Sequence, residues 1–282
     1  MSESLLKWPA PAKLNLLLHI TGRRKDGYHL LQTVFQFLDY SDYLGFEVLT
    51  DKQVRRAYAL AEVPEDQDLC VRAARLLQKH AGVEHGALIH LDKKLPMGGG
   101  LGGGSSDAAA VLLVLNKLWD VNLPLAELAT LGLSLGADVP VFIQGHAAWA
   151  EGVGENLQPV DLPEAWFLVI CPPVTVSTAE IFSSPELIRD CPPITIRDFL
   201  TGQGGNVCEA VARSRYPQVE AALNALGEYG PARMTGTGAC VYTAFETEAA
   251  AQTAWQQLTA AWPGFIARGR NVSPLHTLLN AG

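Results

Sequence analysis

Leu95-Pro-Met-Gly-Gly-Gly-Leu-Gly-Gly-Gly-Ser-Ser-Asp107 places six glycines in the seven positions from Gly98 to Gly104. Upstream, residues 87–91 read as a short strand. Downstream, Ala108, Val111, Leu112, Leu115 and Leu118 recur at helical spacing, so a helix starts near Ser105. Strand, glycine loop and helix in direct succession are the parts of a phosphate site. Glycine removes the side chains that keep a backbone away from a phosphate group. The first turn of a helix offers unpaired N–H donors and the positive end of its dipole. The hydroxyls of Ser105 and Ser106 add donors there. A flexible Gly/Ser linker is the plain alternative, but a linker does not run straight into an apolar-striped helix.

Two better-known phosphate motifs fit poorly. No lysine follows the glycines in G-K-[ST] order, so this is not a Walker A loop. Gly98, Gly100 and Gly103 spell G-x-G-x-x-G, yet the helix after them leads to another helical stretch, 124–135, instead of a second parallel strand. A hydride-transferring dinucleotide enzyme is disfavoured on that ground.

Before the loop, residues 13–20 alternate. Leu14, Leu16, Leu18 and Ile20 fall on one face, with Lys13, Asn15, Leu17 and His19 on the other, the pattern of a half-buried strand with polar groups on its second face. A turn over 22–27 and two strand-like runs, 30–38 and 44–49, follow. Asp68 can cap a helix reaching to residue 80. After the loop, 147–150 looks extended and 152–163 is the expected domain boundary. The second half carries strands at 166–170, 239–245 and 265–267, and helices at 207–215, 218–229 and 248–261. Strands cluster early in each half, which implies an α+β protein of two domains, 1–155 and 156–282.

The chain has 282 residues, 48% hydrophobic and 18% charged, the composition of a folded protein with a sizeable core. Its net charge of −8 argues against a binder that tracks nucleic-acid phosphates. Any anionic substrate must be attracted by local N–H groups and a few placed lysines. Five scattered cysteines without a C-x-x-C pattern fit a reducing compartment and support neither a disulfide framework nor a zinc site. The stretch 1–20 does not read as a signal peptide, and no apolar run reaches the ~18 residues of a membrane span. A cytoplasmic protein free of the membrane is expected.

Several residues carry two readings. Asp138 is the lone charge in the stretch 131–143, between Gly136 and Pro140. An ionisable group in apolar company has a task or a partner, but a turn or helix-cap aspartate would look the same. Lys13 is either a solvated strand lysine or a functional cation beside Asn15. Tyr28 and Phe182 could be ordinary core or rim aromatics, and His29 a structural histidine.

Three motifs together, Pro11-Ala-Lys-Leu-Asn-Leu-Leu-Leu18, the glycine loop, and Thr235-Gly-Thr-Gly-Ala-Cys240, resemble those of the GHMP small-molecule kinases, named for galactose, homoserine, mevalonate and phosphomevalonate. Added segments (Gly27-Tyr-His29, residues 32–38, 135–142 and 145–148, and Asn271-Val-Ser-Pro-Leu-His276) resemble the branch of the family whose acceptor bears a cytidine. The resemblance implies an N-terminal domain like domain 2 of ribosomal protein S5, a ferredoxin-like C-terminal domain and a site between them. It implies ATP with Mg²⁺ as donor and the 2-hydroxyl of a diphosphocytidyl methylerythritol as acceptor, with homoserine or mevalonate types as the alternatives. Asp138 matches the catalytic aspartate and Lys13 its partner. Pro96, Met97, Gly98, Gly99, Gly100, Leu101, Gly102, Gly103, Gly104, Ser105 and Ser106 match the nucleotide phosphate loop. Asn15 and Thr178 match contacts to the acceptor, Tyr28 and Phe182 the aromatics that sandwich cytosine, and His29 the reader of its edge. Asp68 stands in the adenine pocket where the family pattern has Asn. No metal ligand is assigned, the partner is a small molecule, and the chain is expected to act as a monomer or homodimer.

Overall fold

The computed structural model describes residues 7–25, 27–58 and 63–281; the first six residues of the stretch read for a signal peptide lie outside these. The N-terminal half is built on an antiparallel pair, β1 (Trp8–Arg23) and β2 (His29–Leu49). The two runs expected at 30–38 and 44–49 are one strand of 21 residues. The polar residues between them stay in the ladder because Ser41 and Asp42 pair with Pro11 and Ala10, and the buried Asp42 carboxylate accepts from the backbone N–H groups of Lys94 and Leu95.

β1 also departs from its expected half-buried form. Register shifts between Pro11 and Lys13, Asn15 and Leu17, and Ile20 and Gly22 break the alternation. A bulge adds a residue and turns the following side chains to the other face. Leu14, Leu17 and Leu18 therefore enter three different apolar clusters, and both faces of the strand are covered.

β3 (Val54–Arg56) runs parallel to β4 (Gly86–Asp92), which pairs with the second half of β2. Between them lies α1 (Leu69–Ala81), capped by Asp68 as expected and closed by Gly82 in the left-handed region. The glycine loop opens α2 (Gly103–Leu118), followed by α3 (Leu125–Leu133) and a short α4 (Val139–Gln144) that periodicity did not reveal. These helices bury their apolar faces with β2 and β4 in one core. β5 (Ala148–Gly152) pairs with the first half of β2 and with β6 (Asn156–Pro159). The division expected between residues 155 and 156 thus falls in a hairpin turn, and β6 stays in the N-terminal sheet.

The C-terminal half contains β7 (Trp166–Ile170), α5 (Thr178–Ser183), α6 (Ile196–Leu200), α7 (Val207–Arg215), α8 (Pro217–Gly227), β8 (Arg233–Met234), β9 (Val241–Phe245), α9 (Glu248–Leu258), β10 (Gly264–Arg270) and α10 (Pro274–Asn280). Its strands lie in the order β10-β7-β9-β8, all antiparallel, with α7, α8 and α9 sharing their core. The two sheets join where β10 meets β2, through Gly269 opposite Leu38 and Arg270 opposite Phe37. Among the described residues no helix is long and apolar enough to cross a membrane.

Candidate active site

The glycine loop is clamped between β1 and the segment before β9. The Gly100 carbonyl accepts from Lys13 Nζ at 3.0 Å and from Thr235 Oγ1 at 3.1 Å, and the Gly99 carbonyl accepts from the Cys240 N–H at 3.1 Å. Gly100 and Gly102 have φ of +76° and +75°, which favours glycine. Space demands it too: a Cβ on Gly100 would strike the Thr235 carbonyl, and one on Gly102 would lie 2.9 Å from Phe142 and 3.0 Å from Lys13. The glycines thus admit neighbouring protein as well as a ligand.

Above the loop lies a cavity of about 410 Å³, lined by residues 96–105 together with Asp68, Lys93 and Asp107. Ser106 is buried behind it with its hydroxyl unpartnered. Asp68 reaches the wall with its carboxylate already engaged. Oδ1 caps α1 through the N–H groups of Cys70 (2.7 Å) and Val71 (3.3 Å), and Oδ2 takes Arg56 Nη1 at 2.9 Å. Sequence reasoning missed the buried triad beside it. Lys93 Nζ donates to Asp42 at 2.5 Å and to Asp107 at 2.7 Å. Burial, with Asp42 adding and Lys93 opposing, pushes the Asp107 carboxyl up to about 7. Only its position four residues after Gly103 hinted that it faces the loop.

A second chamber of about 260 Å³ opens behind the loop. Lys13, buried at the floor, donates to Asn15 Oδ1 at 2.5 Å and pairs with Asp138 Oδ2 at 3.2 Å. Asn15 Nδ2 donates in turn to Thr33 Oγ1 at 2.8 Å, so the asparagine spends both ends of its amide in placing the lysine. Asp138 occupies the N-cap position of α4, yet its side chain caps no N–H group. It points to Lys13 and is 35% exposed to the chamber. The helix-cap reading of Asp138 is thus without its hydrogen bond. Thr178 and Thr237, their hydroxyls 3.0 Å apart, form the wall from the C-terminal half.

A third cavity of about 970 Å³ is lined by Tyr28, His29, Leu31 and Phe182, among others. Phe182 and His29 stack with ring centroids 5.1 Å apart and planes at 22°. His29 therefore already covers one aromatic face of the expected sandwich, while Tyr28 is 65% exposed across the same cavity. The three spaces adjoin through shared walls. Gly98, Gly100 and Gly102 line the first and second, and Leu31 and Phe182 line the second and third. Among the described residues no group of three or more His, Cys, Asp or Glu side chains is arranged to hold a metal.

The model of the GHMP kinases N terminal domain matches residues 68–146, and that of the GHMP kinases C terminal part matches 194–264. A protein of Nitrosococcus oceani is 55% identical over 96% of this chain and 97% of its own length. This chain belongs to the GHMP kinase family. It is a small-molecule kinase whose donor is ATP. The Nitrosococcus relative is named 4-diphosphocytidyl-2-C-methyl-D-erythritol kinase, as is one from Pseudomonas savastanoi pv. phaseolicola, 56% identical over 99% of this chain and 97% of its own. The crystal structure of a 4-(cytidine 5'-diphospho)-2C-methyl-D-erythritol kinase superposes with a TM-score of 0.82 at 32% identity, covering 93% of this chain and 98% of that one. A mevalonate kinase superposes at 0.69 with 14% identity over 94% and 99%, a likeness of fold alone. The two-domain α+β fold expected from the sequence is the fold of this family.

Proposed function

We propose that this kinase transfers the γ-phosphoryl group of ATP to the 2-hydroxyl of 4-diphosphocytidyl-2-C-methyl-D-erythritol, giving the 2-phosphate and ADP, a step in non-mevalonate synthesis of isoprenoid precursors. The observation that carries the reading is the run of three adjoining spaces, with a glycine loop at one end, an aromatic cavity at the other and the Lys13–Asp138 pair between them. A nucleotide and a long acceptor can enter from opposite ends and meet at the pair. The third cavity, with Tyr28, His29 and Phe182 on its wall, is far larger than homoserine or mevalonate needs, and flat rings suit a base.

In this reading the loop 96–106 and the start of α2 hold the ATP phosphates, with Asp68 and Asp107 on the wall beside the nucleoside. Asp138 takes the proton of the attacking hydroxyl as the new O–P bond forms and the bond to the departing ADP oxygen breaks. Lys13, fixed by Asn15 and the Gly100 carbonyl, orients Asp138 and offsets charge on the transferring group. Asn15 and Thr178 flank the acceptor. Tyr28 and Phe182 face the cytosine, and His29 reads its edge. The donor set fits a magnesium ion carried chiefly by the nucleotide phosphates, with the Ser106 hydroxyl and Asp107 Oδ1 as buried oxygens without a partner beside the loop. That ion would neutralise phosphate charge when bound. The chain acts on small molecules, as a monomer or a homodimer. Five free cysteines suit the cytoplasm.

The test is ADP release measured with diphosphocytidyl methylerythritol, homoserine, mevalonate and galactose as separate acceptors. Turnover should be seen with the first and be negligible with the others. Comparable rates on homoserine or mevalonate would falsify the assignment.

A further inference from the structure

Arg189 lies between α5 and α6, outside every helix, strand and motif, and two of its bonds reach residues that line the third cavity, His29 and Phe182. Nη2 donates to the carbonyls of Phe182 (2.9 Å) and Ser184 (2.7 Å), and Nη1 to that of Leu187 (3.0 Å). The bonds to Phe182 and Ser184 close the C-terminal end of α5, where the Ser184 carbonyl also accepts from the Leu187 N–H. The fourth bond crosses to the start of β2, where Nε donates to His29 Nε2 at 3.2 Å. One rigid guanidinium thus grips the backbone of Phe182 and the ring edge of His29, while the two rings stack on each other.

A guanidinium has donors and no acceptor. His29 Nε2 must then supply a lone pair, which places the ring proton on Nδ1 and leaves no room for a second proton on Nε2.

We infer that Arg189 is a positioning residue of the acceptor pocket, which locks His29 against Phe182 as a neutral imidazole protonated on Nδ1. The inference rests on the proposed reading of the third cavity as the acceptor's base pocket. The charged groups that face the ring are Arg189 and, more weakly, Arg23; its stacking partner Phe182 carries no charge. Burial, Arg189 and Arg23, in that order, lower the His29 pKa below its ordinary 6.5. A ring held in one tautomer presents a base with a single defined donor.

The experiment is ¹⁵N NMR of the histidine rings in the ligand-free full chain, with His29 assigned by the signal lost in His29→Asn. The wild type should show His29 protonated on Nδ1, titrating below 6.5. Arg189→Met should release the ring to the ordinary tautomer mixture and raise its pKa toward 6.5. It should also raise the KM for the cytidine acceptor about tenfold, the worth of one or two lost hydrogen bonds, with the ATP KM unchanged. Arg189→Lys should keep the lowered pKa through its charge while losing the fork to Phe182 and Ser184, and with it the tight acceptor KM.

A wild-type His29 protonated on Nε2 would overturn the inference, and this measurement needs no Arg189 variant to fold. So would ring signals that stay put in Arg189→Met while KM rises, since the arginine would then merely prop α5. Ring signals that move with KM unchanged would overturn the role in binding. Absence of turnover with the cytidine acceptor would sink the function proposed above and leave the spectral result standing.

Discussion

Asp138 holds the cap position of α4 and caps nothing, and a cap that gives up its hydrogen bond forgoes about 1 kcal/mol of helix stability. The carboxylate is instead held on Lys13. Asp138→Asn keeps the shape and loses the basic oxygen pair, so kcat should fall roughly 10²–10⁴-fold with the KM for both substrates little changed. Steady-state kinetics retaining more than about a tenth of the wild-type kcat would remove Asp138 as proton acceptor. Asp107 permits a different test. Its carboxyl, ordinarily near 3.8, is pushed up to about 7 in the folded chain. Between those values the folded protein holds a proton that the unfolded chain has released, so stability falls as pH rises from about 4 to about 7 and this contribution is flat beyond. Asp107→Asn should abolish that part of the slope. Urea unfolding of both proteins at several pH values reads it, and parallel pH dependences would show that Asp107 does not titrate there.

α1 and the glycine loop show how an element serves two ends. Asp68 caps α1 and at the same time neutralises Arg56, whose side chain is 6% exposed. Asp68→Asn can keep the cap but leaves a buried guanidinium without its counter-charge, which should cost about 3 kcal/mol or more. Thermal unfolding within a few tenths of a kcal/mol of wild type would mean that Arg56 finds water instead. In the loop, Gly102→Val should do more than weaken ATP binding. Its Cβ would meet Lys13 and Phe142 at a φ of +75°, so the lysine must move and kcat should drop together with nucleotide affinity. Calorimetry and kinetics on the same variant separate the two effects, and wild-type values in both would refute the clamp.

Across the molecule, the chamber takes Lys13 and Asp138 from one half and Thr178, Phe182 and Thr237 from the other. The halves meet at the short seam of β10 on β2. A side chain at Gly269 would meet Phe167 at 2.9 Å and Gln36 at 3.0 Å, directly at that seam. Gly269→Val should therefore cost about 1–3 kcal/mol and lower kcat/KM for the acceptor, because overpacking there spreads the two walls. A variant destabilised to that extent with unchanged kcat/KM would show that the seam serves stability alone.

Local chemistry carried much of this in plain sight. Asp68 before an apolar period marks α1, six glycines before another mark the loop that opens α2, and residues 207–215 are the bounds found for α7. Each depends on neighbours within a few residues, where spacing and capping act directly. Other features rest on contacts between distant segments, which leave no local period. The polar middle of β2 stays extended because Asp42 bonds to Lys94 and Leu95 some fifty residues on, the bulges of β1 send Leu14, Leu17 and Leu18 to separate cores, and β6 returns to the sheet across the boundary read from composition. Arg189 is the clearest case. Nothing in its own segment signals a role, and its meaning comes from His29, which is 160 residues away along the chain and 3.2 Å away in space.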